Sequence, residues 1–127
     1  MITRYLAITL VALVNSTIAG ENKDVSVGEQ LYVQCTGCHS PSYHRTGPKH
    51  CNIVGKQAAT AKGFDYTEAL KNSGIIWNFD SLDLFLKNPI KMVPGTSMGF
   101  IGMNQKQQRH ELIRFLQTLD NNNPRCQ

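Results

Sequence analysis

The stretch that most constrains what this chain can fold into is Cys35-Thr36-Gly37-Cys38-His39. Two thiols three positions apart on a helical turn can add to the two vinyl groups of one haem, and a histidine directly after the second thiol falls under the iron. This is the pattern of covalent haem attachment. Imidazole is a good iron ligand, and two thioethers keep the macrocycle on the chain even when axial bonds break. Three plainer readings compete. Half a zinc site would need a second ligand pair, and Cys51 and Cys126 lie too far apart in sequence to form one. A thioredoxin-like redox pair belongs in a βαβ pattern, which is not found here. Two buried small residues are the remaining alternative.

At 127 residues the chain is one domain, preceded by a segment that is not part of it. Residues 1–20 carry a positive charge at Arg4, an apolar run from Tyr5 to Val14, and then small and polar residues ending Thr17-Ile18-Ala19. A run of about ten is far short of the roughly twenty needed to cross a bilayer. It reads as a secretory signal cleaved after Ala19 or Gly20, with an uncleaved anchor as the alternative. The expected division is therefore 1–20 signal peptide and 21–127 mono-haem domain. No second apolar stretch is long enough to span, so the mature chain is expected to be soluble and periplasmic, with no stable membrane insertion. Export agrees with the cysteines, because covalent haem attachment and structural disulfides both belong outside a reducing cytoplasm. A mature chain of about 107 residues is small for a self-sufficient core, and a large apolar cofactor would supply what the side chains lack. The net charge of +4 falls by one when Arg4 leaves, too little for a nucleic-acid-binding stripe.

After a short polar lead-in from Glu21 to Val25, Ser26 and Glu29 fit a capping box that starts a helix running through Leu31, Tyr32 and Cys35 into the motif. Gly28 inside it costs of order 1 kcal/mol against alanine, which a close helix contact would explain; a tolerated glycine near a helix start is the alternative. Residues 40–65 are rich in glycine, proline, threonine and histidine without periodicity. A loop of that length in a compact domain needs something inside to organise it, as a haem would. Thr67 caps a short helix through Leu70 that closes at Gly74, Asp80 caps the next from Ser81 to Lys87, and Pro89 ends it. Lys91 to Gly102 reads as a second irregular stretch. Asn104 begins a last helix whose Leu112, Ile113, Phe115, Leu116 and Leu119 form an apolar stripe, stopped by Asn121 to Pro124. The expected class is all-α, with helices and long loops wrapped around one covalently bound haem.

The iron needs either a second protein ligand or an open position. Met92, Met98 and Met103 are candidates, with His44, His50 and His110 more remote. Five further motifs follow the first in order: Thr46-Gly47-Pro48, Gly63-Phe64-Asp65-Tyr66-Thr67, Gly74-Ile75-Ile76-Trp77, Lys87-Asn88-Pro89 and Pro94-Gly95-Thr96-Ser97-Met98. Together they resemble the class I c-type cytochromes, of the mitochondrial cytochrome c and bacterial cytochrome c2-like type, from Gly28 to about Leu119. The resemblance implies a small single-domain cytochrome c fold with one haem c, covalent through Cys35 and Cys38. It makes His39 and Met98 the metal ligands, Met98 because it ends the family's Pro-Gly-Thr-x-Met run, and leaves Met92 and Met103 as core or surface residues. Pro48 resembles the proline whose carbonyl accepts the second ring N–H of the proximal histidine. Tyr66 and Trp77 resemble the pair that hydrogen-bonds a buried haem propionate, and Thr96 resembles a further propionate contact. From the residues alone, Tyr66 and Trp77 are amphipathic core residues as readily as polar partners. Gly28, Tyr32 and Phe115 match the crossing of the first and last helices. Some positions depart from the pattern. Phe85 stands where many members have a tyrosine beside the methionine sulfur, Lys56 where an arginine is frequent, and Leu70 where a polar residue joins a buried water network. The loop from His39 to Thr46 is shorter than in mitochondrial members.

The implied function is a soluble exported electron carrier, not an enzyme, shuttling single electrons through a His/Met-ligated c-type haem. Its partners would be redox proteins: respiratory or photosynthetic membrane oxidoreductase complexes, or periplasmic dehydrogenases. The protein itself would be a monomer that binds no nucleic acid. Two alternatives stand beside this: a haem subunit or relay permanently docked to an oxidoreductase, and an open-site c-type haem enzyme or gas sensor, against which the run from Pro94 to Met98 speaks. The resemblance also brings Cys51 near the end of the last helix, where Cys126 on the tail could pair with it. Around the haem edge Gln34, Ser97, Ile90 and Met103 occupy places where basic residues are frequent, and Gly99-Phe100-Ile101-Gly102-Met103 is apolar. Docking by an apolar patch rather than by charge is therefore expected.

Overall fold

Helices carry the secondary structure of residues 23–127, the part described by the computed structural model. They are α1 (Lys23–Tyr32), α2 (Glu68–Lys71), α3 (Phe79–Lys87), α4 (Pro89–Met92) and α5 (Lys106–Thr118), with 3₁₀ turns at Val33–Cys35 and Pro124–Cys126. Among the described residues there is no strand beyond one isolated antiparallel bridge, Gln57 with Ile76. The all-α expectation holds. The expected signal peptide, residues 1–20, lies outside the described residues.

Several boundaries differ from the sequence reading. α1 begins at Lys23, so Ser26 lies inside the helix rather than at its cap. The 3₁₀ turn that follows delivers Cys35, and the N–H groups of Cys38 and His39 both bond back to its carbonyl (3.1 and 2.8 Å). One tight turn thus carries both thiols and the imidazole. Thr67 caps α2 as expected, accepting from Leu70 N–H (3.3 Å). α3 is capped by Asn78, not Asp80, in a reciprocal box with Ser81 (2.9 Å in each direction). Asp80 falls in the first turn instead, where its charge suits the positive helix end. Pro89 is the first residue of α4, where a missing N–H is harmless, and Asn88 caps that helix by accepting from Lys91 N–H (3.0 Å). Helix therefore extends to Met92, into the stretch expected to be irregular. α5 starts at Lys106, behind Gln105 rather than Asn104.

α1 crosses α5 at Gly28, where a Cβ would lie 2.8 Å from Phe115 Cβ and closer still to the Glu111 carbonyl oxygen. Only a glycine permits that approach. One turn on, the buried Tyr32 ring sits 5.1 Å from the Phe115 ring. α3 packs on the same helix. Leu82, Phe85 and Leu86 join Leu112, Ile113 and Leu116 in the core, so the stripe read from α5 is buried. The tail beyond α5 returns to the loop after the attachment motif. Asn52 N–H donates to the Leu119 carbonyl (2.7 Å), its side chain bonds Asn121 (2.8 Å), and Cys51 is joined to Cys126 with Cα atoms 5.6 Å apart. Arg125 in this tail pairs with Glu29 on α1.

A buried charge pair ties α3 to α5. Arg109 is 4% exposed. It meets both carboxylate oxygens of Asp83, through Nε (2.7 Å) and Nη2 (3.3 Å), while Nη1 donates to the carbonyls of Met103 (2.8 Å) and Asn104 (2.9 Å). This fork geometry is one lysine could not reproduce. The hydrogen bond from Arg109 holds the Asp83 carboxyl below the usual carboxylate range. Asp83→Asn, which keeps one acceptor oxygen but leaves the buried cation without its anionic partner, is expected to cost about 1 to 3 kcal/mol in denaturant unfolding at neutral pH. Because the folded pKa is lowered, this advantage of the native carboxylate is fully present above the unfolded value of about 4 and fades as pH falls through the folded value. The two proteins should converge in acid.

Candidate functional site

Between α3, α5 and the loops lies a cavity of about 810 Å³, a size proper to cofactor sites. Each residue expected at the site lines it: Cys35, Cys38, His39, Pro48, Tyr66, Trp77, Thr96 and Met98. Of the three candidate methionines Met98 alone does so, since Met103 is buried in the core and Met92 packs against it. Of the more remote histidines His50 lines the cavity, whereas His44 and His110 do not.

His39 is built into its place from two sides. Its Nδ1–H donates to the Pro48 carbonyl (2.7 Å), which leaves Nε2 as the ring nitrogen with a lone pair for a metal. Burial pushes its pKa below the ordinary value, the Pro48 bond opposing the shift, and so favours the neutral ligand form. Gly47 comes against the same ring. A Cβ there would lie 2.7 Å from both ring nitrogens and closer to the carbon between them, over the ring face. The Thr46-Gly47-Pro48 motif is legible in sequence, but the reason for its glycine is not. Gly47 N–H also bonds the Cys38 carbonyl (2.7 Å), closing the loop onto the attachment turn.

Met98 is presented by two turns in succession. Thr96 N–H bonds the Val93 carbonyl (3.0 Å) around Pro94 and Gly95, whose φ is +93°. Proline followed by a residue of positive φ is type II turn chemistry. The Thr96 hydroxyl then accepts from Met98 N–H (3.3 Å), and its own proton remains to donate. Trp77 is fixed by backbone bonds to the loop before it, Trp77 N–H to the Lys56 carbonyl (2.8 Å) and Gly55 N–H to the Trp77 carbonyl (2.6 Å). Tyr66 packs edge-on against Phe64 (4.8 Å), and burial raises the pKa of its phenol against an opposing hydrogen bond from Ala61. Phe85 adds only hydrocarbon to the wall, 4.9 Å from the Trp77 ring.

His50 was a remote ligand candidate in the sequence; the structure gives it other contacts. It is 9% exposed, its ring stacks on that of His39 (4.2 Å between centroids, 24° between planes), and its Nδ1 shares a hydrogen bond with the Tyr32 hydroxyl (3.1 Å). Burial, with His39 beside it, pushes its pKa down to about 3. One surface expectation is corrected. Met103 is 6% exposed, not part of an outer strip, because its N–H bonds the Leu86 carbonyl (2.8 Å) and its carbonyl accepts from Arg109. Ile101, by contrast, is 91% exposed, and Ile90 is exposed as well.

The residues present fit a haem. Among the described residues no acidic side chain lines the cavity; Lys49 and Lys56 do, among walls otherwise mostly hydrocarbon with a few hydroxyl and ring donors. That suits a large apolar group bearing carboxylates. Two imidazoles, His39 and His50, and the Met98 thioether line this space, and of the two rings His50 is already engaged at Nδ1 with the Tyr32 hydroxyl; both thiols of the motif line the same space, the Cys35 thiol pushed up to about 11 by burial with Cys38 nearby. Gly47→Ala, by forcing the His39 ring aside, is expected to lower the yield of haem-bearing protein several-fold, measured as haem absorbance per polypeptide.

No protein-family model matches the chain. Among curated proteins it is 40% identical over 116 residues to the cytochrome c2 of Rhodomicrobium vannielii, covering 89% of this chain and 93% of that one. It is 38% identical over 99 residues to the cytochrome c of Euglena viridis, covering 76% and 97%. Among solved structures, cytochrome cH from Methylobacterium extorquens superposes with a TM-score of 0.73 at 34% identity, covering 75% of this chain and 98% of that one.

Proposed function

The chain belongs to the class I c-type cytochromes and carries one haem c attached through Cys35 and Cys38, and on that premise we propose that it is an exported carrier of single electrons with His39 and Met98 as axial ligands. The observation that carries this reading is that Met98, of the three candidate methionines, shares the cavity with His39. Bound haem supplies a ferric–ferrous couple, and pairing imidazole with a neutral thioether favours the ferrous side. The chain's task is to hold both ligands still. Pro48 and Gly47 confine the imidazole, and the successive turns at Pro94 to Met98 confine the thioether, so neither group has to move when the charge on the metal changes. Leu82, Phe85, Leu112 and Leu116 wall the cavity with hydrocarbon and keep water away. With both ligand positions taken by protein no substrate reaches the metal, which separates a carrier from an open-site enzyme or sensor. Residues 1–20 are the export signal in this reading and the periplasm its location. The Cys51–Cys126 bridge is a disulfide that an oxidising compartment preserves.

Met98→Ala is expected to open the iron to carbon monoxide and lower the potential, while Met92→Ala and Met103→Ala keep the methionine-to-iron charge-transfer band. Loss of that band in the Met103 variant would mean that a different sulfur is the ligand.

Of the exposed residues that line the cavity, Lys56 is charged, whereas Gln34, Cys38, Thr46, Gln57, Thr60, Ser97 and Gly99 are not, and half-buried Phe100 on its wall runs into exposed Ile101. Partners, whether membrane oxidoreductase complexes or periplasmic dehydrogenases, would dock here with little electrostatic steering. Stopped-flow electron-transfer rates with the physiological acceptor should change only modestly from low to high salt; a steep monotonic fall would assign recognition to charge.

A further inference from the structure

We infer that His50 is a positioning residue for the proximal ligand, setting the rotational orientation of the His39 ring through its own ring and the hydrogen bond it shares with Tyr32. This rests on the reading of His39 as an iron ligand. The hydrogen bond to Pro48 pins one edge of the imidazole and the Gly47 backbone lies against a ring face, but the second side-chain torsion of histidine is broad, and these two loop contacts alone leave the tilt of the ring loosely defined. A flat ring stacked 4.2 Å away with only 24° between planes removes that freedom. The stacked ring is itself oriented. A buried neutral imidazole and a buried phenol each need a polar partner, and here each is the other's (3.1 Å). An aliphatic side chain could fill the same volume but would bring no directional bond.

The pair is anchored in the rigid part of the fold. Tyr32 belongs to the α1–α5 crossing, its ring packed on Phe115. His50 N–H reaches the carbonyls of Ser40 and Pro41 (both 3.1 Å), directly after His39 in sequence. On its other flank Cys51 is bridged to Cys126, and Asn52 N–H bonds the Leu119 carbonyl at the end of α5 (2.7 Å). The orientation of His39 is thereby referred to the crossing of the two terminal helices, through Tyr32 and His50, rather than to the loop that carries it.

The plane of an axial imidazole decides which iron orbitals it overlaps, and so the anisotropy of the low-spin ferric signal. The test is electron paramagnetic resonance of the oxidised holoprotein, beside its optical spectrum, for wild type, Tyr32→Phe and His50→Leu. Tyr32→Phe removes one oxygen, and its position in the α1–α5 core lets it fold even where the second variant matures poorly. The expected result is an unchanged methionine-to-iron band in both variants with the largest g value shifted or broadened beyond the wild-type line width. If both variants give g values superimposable on wild type and differ only in melting temperature, His50 is core filling and the inference is overturned. A wild-type spectrum without an imidazole-ligated low-spin haem would overturn the ligation reading instead, a separate failure visible before any variant is made.

Discussion

A large apolar cofactor held at a single helical turn is the constraint from which the other features follow. The turn at Cys35 to His39 closes on its own backbone, and the cavity it opens into draws its walls from α3, α5 and three separate loops. The segment from residue 40 to 66 contains no helix, and Ile53, Phe64 and the neighbouring Leu70 are only half-buried by protein while lining the cavity. Such a segment cannot bury enough of its own surface to offset the entropy of ordering it. Its apolar side chains are organised against the haem, so binding and folding are coupled.

What the chain adds around the cofactor is a clasp. The α1–α5 crossing at Gly28, the α3–α5 face with its Arg109–Asp83 pair, and the tail bridged at Cys51 bring the two ends of the chain together around the cavity. The bridge spans a sequence separation of 75 residues. Chain-entropy arithmetic places the stabilisation from closing so long a loop at about 4 to 5 kcal/mol at most. The same bridge sits next to His50, which couples the tail to the environment of the proximal histidine.

The parts of this arrangement that could be read in the sequence are those written in local patterns. The attachment motif, the apolar stripe of α5 and the Thr67 cap each depend on neighbours within a few residues, and each is found where expected. The sequence reading puts the α3 cap at Asp80, whereas Asn78 two positions earlier takes it because Ser81 returns the bond. The interactions with no local signature join distant positions. Arg109 and Asp83 are 26 residues apart and Tyr32 and His50 are 18 apart, and no periodicity marks a pairing of that kind. Met103 was misplaced for the same reason: its depth is set by backbone bonds to Leu86 and Arg109, not by the apolar run around it.

The central claim, that the fold is organised by the covalently held haem, is tested most directly by far-ultraviolet circular dichroism of residues 21–127 carrying Cys35→Ala and Cys38→Ala, compared with the matured protein. The haem-free chain is predicted to lose most of the helical signal and its cooperative thermal transition. A haem-free chain that keeps the native helical spectrum and melts cooperatively would contradict the account.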